Sequence, residues 1–316
     1  MKVLFWGTPG FATPPLRALL GEGFDVVGVV TQPDRPQGRS RSTLVPSPVK
    51  EIALEEGLPV LQPERPRGVD FLSAMGALAP DVSVVVAYGH ILPQSVIDLP
   101  PIGTLNIHAS LLPTLRGAAP IQAAIRQGLA ETGVTIMRMV PQLDAGPVVL
   151  QARTPIMDDE TYGELQLRLS ELGAQTLIEA LTLIGLGDAR AVPQDEALAT
   201  YAPKVEREDA RVRWTESGEA VARGVRAYDP KPGAWTTLRE ADVKLYGARP
   251  SSDASGDPGE VLAVDEGGML VACGTGGVRV AYVHPAGKRR LAALDWAQGR
   301  GIKVGDQFGT TGPLVT

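Results

Sequence analysis

The sequence predicts an α/β protein with a parallel or mostly parallel sheet in its first part and a small β-barrel in its second. Three observations carry this. Short apolar runs alternate with helical patterns over the first half. Residues 82–87 form a β-branched run suited to a strand buried on both faces. Beyond residue 203, short strands recur between Gly, Pro, Ser and Asp turns, as in a small barrel.

The elements follow in order. A strand over 2–6 opens the chain, and a helix over 14–20 follows it. Thr13 is placed to cap that helix, prolines suit its first turn, and Gly21 and Gly23 end it. A strand over 25–31 comes next. Ser47 and Pro48 then open a helix running to about residue 57: Ser accepts from free N–H groups, and Pro at the first position gives up no donor that was needed. Further strands are expected at 82–87, 104–108 and 135–139. A long helical pattern over 159–187 carries Leu165, Leu169, Leu172, Leu177, Leu181 and Ile184, and stops at Gly185 and Gly187. Residues 188–203 lack periodicity and contain Pro193 and Pro203, so they read as a linker. The domains are therefore 1–187 and 204–316, joined by 188–203. In the second, strands are expected at 234–238, 243–248, 259–264, 269–272 and 278–283, flanked by helices at 218–227 and 291–300.

Composition bounds the function. A chain of 316 residues, 44% hydrophobic and 21% charged, is ordinary for a soluble two-domain protein. A single Cys273 excludes an internal disulfide, and with only His90, His108 and His284 a Cys- or His-rich metal site is nearly excluded. No run approaches the ~18 apolar residues of a membrane span, and the first apolar run is too short for a signal peptide. A cytoplasmic enzyme or binding protein is the default. Residues 1–203 carry a net charge of −7 and residues 204–316 of +1, so contact with a polyanion would need local patches.

Four motifs can carry chemistry. Gly7-Thr8-Pro9-Gly10 follows the first strand like a nucleotide loop, but only two glycines fit the dinucleotide fingerprint, and a tight strand-to-helix turn is the simpler reading. Asp34, at a possible ribose-binding distance, is more simply a turn residue. The loop 34–50 carries Arg35, Arg39, Arg41 and Lys50 with no acid after Asp34, which reads as a solvated surface loop or as a mobile basic finger for phosphates. Asn106 and His108 share a face at the end of a strand, where open α/β sheets bind ligands. Together they offer an oxyanion donor and a general acid or base; singly, each is more often a satisfied core residue. Asp144 sits in a turn between two strands, either as a local cap or as a carboxylate that reaches the pair.

These residues resemble the folate-dependent formyltransferase family. The resemblance lies in Asn106-Ile107-His108-Ala109-Ser110-Leu111-Leu112-Pro113, in Arg116-Gly117-Ala118-Ala119-Pro120-Ile121 and in Leu143-Asp144-Ala145-Gly146. It extends through Val84-Val85-Val86-Ala87-Tyr88-Gly89, Pro46-Ser47-Pro48-Val49-Lys50, Thr200-Tyr201-Ala202-Pro203-Lys204 and Arg226-Ala227-Tyr228-Asp229-Pro230. It implies a doubly wound N-terminal domain and an OB-like C-terminal barrel that binds tRNA. It implies Asn106, His108 and Asp144 as the catalytic set, with Asp144 fixing the His108 tautomer and stabilising its charged form. The implied donor is 10-formyltetrahydrofolate, a cosubstrate, and no metal is needed. Its pocket maps onto Ser110, Leu111, Leu112 and Pro113 and onto Tyr88, Gly89, Ile91 and Leu92. The implied acceptor is the α-amine of methionine on charged initiator tRNA, with Arg39, Arg41 and Lys204 toward the tRNA. The chain departs from the family's paired lysines: the stretch here is Gly38-Arg39-Ser40-Arg41-Ser42-Thr43.

Rival readings share parts of this. A formyltransferase for glycinamide ribonucleotide would lack residues 204–316. One for an amino-sugar nucleotide keeps both domains but does not call for the basic loop. A nicotinamide oxidoreductase leaves Asn106, His108 and Asp144 unexplained, and a non-catalytic RNA-binding protein rests on the barrel alone.

Overall fold

The computed structural model describes residues 1–37 and 43–309, without the side chains of Gln37 and Thr43. Arg39 and Arg41 lie outside the described residues. The chain divides into two compact units. The first comprises Met1–Pro120, Glu131–Pro155 and Gln166–Ala202; the second comprises Ile121–Ala130, Ile156–Leu165 and Pro203–Thr316. Residues 188–202 thus belong to the first unit, where Val192 pairs with Val148 and Tyr201 with Arg116.

The first unit is built on a seven-stranded sheet. Its strands are β1 (Lys2–Gly7), β2 (Asp25–Val30), β5 (Val60–Leu61), β6 (Val82–Val86), β7 (Thr104–His108), β8 (Glu131–Arg138) and β9 (Val148–Pro155). Their order is β5-β2-β1-β6-β7-β8-β9. The ladders from β5 to β7 are parallel; β8 runs antiparallel to both its neighbours. The chain winds outward from β1 to β5 and then returns to β6 on the other side. That reversal opens a crevice at the carboxyl ends of β1 and β6, the switch point where such sheets bind ligands. Every residue of β6 is buried, as its β-branched run requires.

Helices cover the sheet. In this unit they are α1 (Thr13–Gly21), α2 (Pro48–Glu55), α3 (Val69–Ala77), α4 (Gln94–Ile97) and the part of α6 (Tyr162–Leu186) from Gln166 onward, while α5 (Pro120–Gln127) falls almost wholly in the second unit. Ser47 caps α2 as expected, accepting from the Lys50 N–H at 3.1 Å. Thr13 does not cap α1. It is the first helical residue, and its hydroxyl donates backward to the Gly10 carbonyl at 2.9 Å. By length and composition α6 could cross a membrane, but Leu169, Leu177 and Leu181 are fully buried and give it a core face. The loop expected over 34–50 instead contains a two-stranded hairpin, β3 (Arg35–Gln37) with β4 (Thr43–Val45).

The second unit carries an antiparallel sheet in the order β10-β11-β14-β13-β12, with β15 beside β14. The strands are β10 (Ala234–Leu238), β11 (Ala241–Ser251), β12 (Val261–Asp265), β13 (Gly268–Ala272), β14 (Gly277–Pro285) and β15 (Leu291–Ala292). Antiparallel pairing throughout is what a small barrel requires. The helix α7 (Gly218–Ala227), capped by Ser217, packs on β11 and β14. A short α8 (Ala293–Gln298) follows β15, so the helix expected over 291–300 begins two residues late. Val225, Leu245, Val271 and Val280 are fully buried in this core, and Trp214 stacks on Phe308 at 5.5 Å.

Candidate active site

The site forms on β7 and the chain that follows it. Alternate residues of β7 share a face, so Asn106 and His108 project together from its second half. His108 is buried, whereas Asn106 is half-buried and its amide meets no protein partner among the described residues. The His108 Nε2 lies 2.9 Å from the Leu115 carbonyl oxygen. A carbonyl only accepts, so Nε2 carries the proton and the neutral ring presents an unprotonated Nδ1. That Nδ1 faces Asp144 Oδ2 at 3.7 Å, an ion-pair distance once the ring is protonated. The tautomer is therefore held by Leu115, not by Asp144 as the sequence suggests. Asp144 stands in the left-handed region, with φ +50°, and its Oδ2 accepts from the Gly117 N–H at 2.8 Å. Gly146 lets this turn close, because a Cβ there would lie only 1.7 Å from the Arg138 carbonyl oxygen.

The two segments expected to hold the folate leave the carboxyl ends of neighbouring strands, Tyr88 to Leu92 after β6 and Ser110 to Pro113 after β7. Thr135 on β8 ties down the second. Its hydroxyl donates to the Ser110 carbonyl at 2.7 Å and accepts from the Leu112 N–H at 3.1 Å and from Gln151 at 2.9 Å. The Ser110 hydroxyl donates to the Thr114 carbonyl at 2.6 Å, so it shapes the segment from within. Leu92 and Leu112 are buried, Leu111 and Pro113 are half-buried, and Gly89, with φ +92°, and Ile91 are exposed. Tyr88 packs edge-on against Trp6 at 5.2 Å. Its hydroxyl is buried without a hydrogen-bond partner among the described residues, and burial pushes it up to about 12.

The nucleotide-loop reading has little support. A Cβ on Gly7 would lie 2.6 Å from the Ala12 Cβ, so close strand-to-helix packing accounts for that glycine. Asp34 is already engaged: it accepts from Lys50 Nζ at 2.6 Å and from Gln62 at 2.8 Å. Lys50, then Gln62, holds its carboxyl below the usual range. Lys50 is thereby taken out of the basic finger. Among the described residues no three His, Cys, Asp or Glu side chains cluster as metal ligands would.

Sequence reasoning missed Gln194, whose amide donates to the carbonyls of Asp144 and Gly146 at 2.8 and 2.7 Å. It also missed Thr200, whose hydroxyl accepts from the Leu115 N–H at 2.9 Å. Both lie on the stretch read as a linker, and neither residue type announces chemistry there.

Residues 1–181 match the formyl transferase family, and residues 204–301 match the formyl transferase C-terminal domain. A methionyl-tRNA formyltransferase of Aromatoleum aromaticum is 48% identical over 308 residues, 98% of this chain and 97% of its own length. That of Kosmotoga olearia is 43% identical over 311 residues, 98% of this chain and 100% of its own. The chain belongs to the methionyl-tRNA formyltransferase family. HypX from Aquifex aeolicus, solved with tetrahydrofolic acid, shares the fold at a TM-score of 0.66 and 22% identity. The match covers 99% of this chain, which spans about half of HypX (51%). A sugar 3N-formyl transferase, WlaRD, shares it at a TM-score of 0.65 and 16% identity, over 91% of this chain and 98% of its own. The matched C-terminal domain lies within the second unit. There Lys204 is exposed and pairs with Glu206 at 3.5 Å, Arg207 stacks on Trp235 at 4.4 Å, and Arg126, Arg211 and Arg213 line a cavity of about 290 Å³.

Proposed function

We propose that this chain transfers the formyl group of 10-formyltetrahydrofolate to the α-amine of initiator methionyl-tRNA, giving N-formylmethionyl-tRNA and tetrahydrofolate. The observation that carries the reading is the His108 ring, held by Leu115 so that its Nδ1 faces the Asp144 carboxylate, on a face shared with Asn106, whose amide has no partner among the described residues. Such a site suits acyl transfer to an amine.

The neutral amine attacks the formyl carbon, and a C–N bond forms as the carbonyl oxygen becomes an oxyanion. Asn106 donates to that oxygen; a donor of this kind contributes ~100–1000-fold in turnover. His108 Nδ1 takes the proton released by the attacking nitrogen, and the imidazolium is stabilised by Asp144. Collapse breaks the bond from the formyl carbon to N10 of the folate, and the proton passes to that nitrogen. Ser110, Leu111, Leu112 and Pro113, with Tyr88, Gly89, Ile91 and Leu92, form the folate pocket in this reading, and no metal takes part.

Residues 1–187 carry the chemistry and 204–316 the tRNA, with 188–203 between them, in a cytoplasmic enzyme. Arg39, Arg41 and Lys204 contact the tRNA. The arginines at the 290 Å³ cavity stand with Asp209 and Glu216, and Arg207 pairs with Asp242, so the tRNA role is supported by the match to methionyl-tRNA formyltransferases and not by a free basic patch. The deciding assay mixes purified protein with 10-formyltetrahydrofolate and methionine-charged initiator or elongator tRNA. Formylation of the initiator species is expected; no formylation of either overturns the reading.

A further inference from the structure

The stretch 194–202 grips the catalytic residues from two sides. Gln194 is the centre of the first grip. Arg116, only 2% exposed, donates to its Oε1 from Nε and from one terminal nitrogen, at 3.0 and 2.8 Å. Guanidinium nitrogens only donate, so the Gln194 amide has one possible orientation, with its NH2 turned away from Arg116. That NH2 spends both hydrogens on the carbonyls of Asp144 and Gly146. Glu196 holds Arg116 in place with a bidentate pair at 2.9 and 2.8 Å. Asp144 sits in a left-handed conformation that a non-glycine residue adopts only when its surroundings hold it, and Gln194 supplies two of the bonds that hold it there.

The second grip falls on the loop that serves His108 and Asp144. Thr200 accepts from the Leu115 N–H through its hydroxyl and from the Arg116 N–H, at 2.8 Å, through its carbonyl. Ala202 donates to the Arg116 carbonyl at 2.7 Å and accepts from the Ala119 N–H at 3.2 Å. A Cβ on Gly117 would lie 2.6 Å from the Ala202 carbonyl oxygen, so the strands of this clasp touch. Between these bonds lie the Leu115 carbonyl, which fixes the His108 tautomer, and the Gly117 N–H, which orients the Asp144 carboxylate.

We propose that Gln194 is a positioning residue for formyl transfer, acting through Asp144, and that Arg116, Glu196 and Thr200 complete the clasp. The proposal rests on the function given above. The connection to the second unit is then part of the catalytic apparatus, not a passive tether.

The discriminating variant is Gln194→Glu, which still accepts from Arg116 but cannot donate to Asp144 and Gly146. Single-turnover transfer at enzyme excess is expected to slow about 10–100-fold, as when a supporting group lets a reacting one shift by ~1 Å. The KM for 10-formyltetrahydrofolate should stay near wild type, and the protein should stay folded and melt cooperatively, at a lower temperature because two carbonyls lose their donor. In an Asp144→Asn background the same change should cost less than about twofold, because coupled residues are not additive. If that background is too slow to measure, the split between turnover and KM in Gln194→Glu alone decides. Amide exchange read without substrate should rise at Gly117 and at 144–146 and stay unchanged in β6. Wild-type turnover in Gln194→Glu, a full additive loss in the double variant, or unchanged exchange overturns the proposal. A wild-type protein that formylates no Met-tRNA overturns instead the function it rests on, and the wild-type control tells the two apart.

Discussion

Replacing Tyr88 by Phe removes one oxygen and leaves the ring packed on Trp6. That oxygen is buried with no partner among the described residues. An unsatisfied buried hydroxyl costs ~1–3 kcal/mol, so its removal should stabilise the first unit by about 1 kcal/mol or more, or ~2–4 °C in melting temperature for a domain of this size. The gap should widen in alkali. Burial raises the Tyr88 hydroxyl from its ordinary value of 10.0 to about 12. A group raised in the fold gives its full stability below its unfolded value and loses it as pH rises through the folded one. Between pH 10 and 12 the unfolded chain ionises while the native one resists, which costs the wild type roughly 3 kcal/mol. Phe cannot ionise, so the variant escapes that loss. Urea unfolding followed by circular dichroism at pH 8 and pH 11 reads both effects. A lower midpoint at pH 8, or an equal fall in both proteins on going to pH 11, would refute the reasoning. The folate KM should not change, because the hydroxyl has no exposed surface; a clear rise would put that oxygen in the pocket.

Asn106→Ala and His108→Ala are each expected to fold normally and lose transfer about 100-fold or more, read by turnover beside circular dichroism. Thr135→Val leaves the Ser110 carbonyl and the Leu112 N–H without their partner. It should destabilise by about 2 kcal/mol or more and raise the folate KM; unchanged KM would detach this hydroxyl from the pocket. Gly133→Ala puts a Cβ 2.1 Å from the Ala152 carbonyl oxygen and 2.6 Å from Leu111, so β8 and β9 must part, at about 1–3 kcal/mol by thermal melting. Arg39→Ala should weaken tRNA-dependent activity and flatten its salt dependence while sparing folate binding, and an equal loss of folate affinity would contradict the tRNA role.

Local signals made much of the fold legible. The strand 104–108 and the helix 218–227 match their observed bounds, because an apolar run closed by polar residues and a Ser cap before a periodic stretch are decided within a few residues. Elements without such signals were missed. The strand β9 is half-buried along most of its length and shows no alternation. The helix α3 starts after Gly68 at φ +95° with no side-chain cap, and β3 carries Pro36. The site divides the same way. Asn106 and His108 are two residues apart, and strand geometry alone puts them on one face. Asp144 reaches His108 across 36 positions; its turn alone left it open between a local cap and a reach to the pair, and the family resemblance placed it in the set. Gln194 meets Asp144 across 50 residues by donating to a backbone carbonyl, a bond that leaves no pattern in the sequence.

Cys273 lies on the turn between β13 and β14. It is the sole thiol of the chain, 5% exposed in the second core, with burial pushing it up to about 11. A thiol held neutral and out of reach reacts only when its surroundings open. An alkylating dye added under native conditions therefore times the breathing of the C-terminal sheet alone, and the larger, cysteine-free portion of the molecule stays dark.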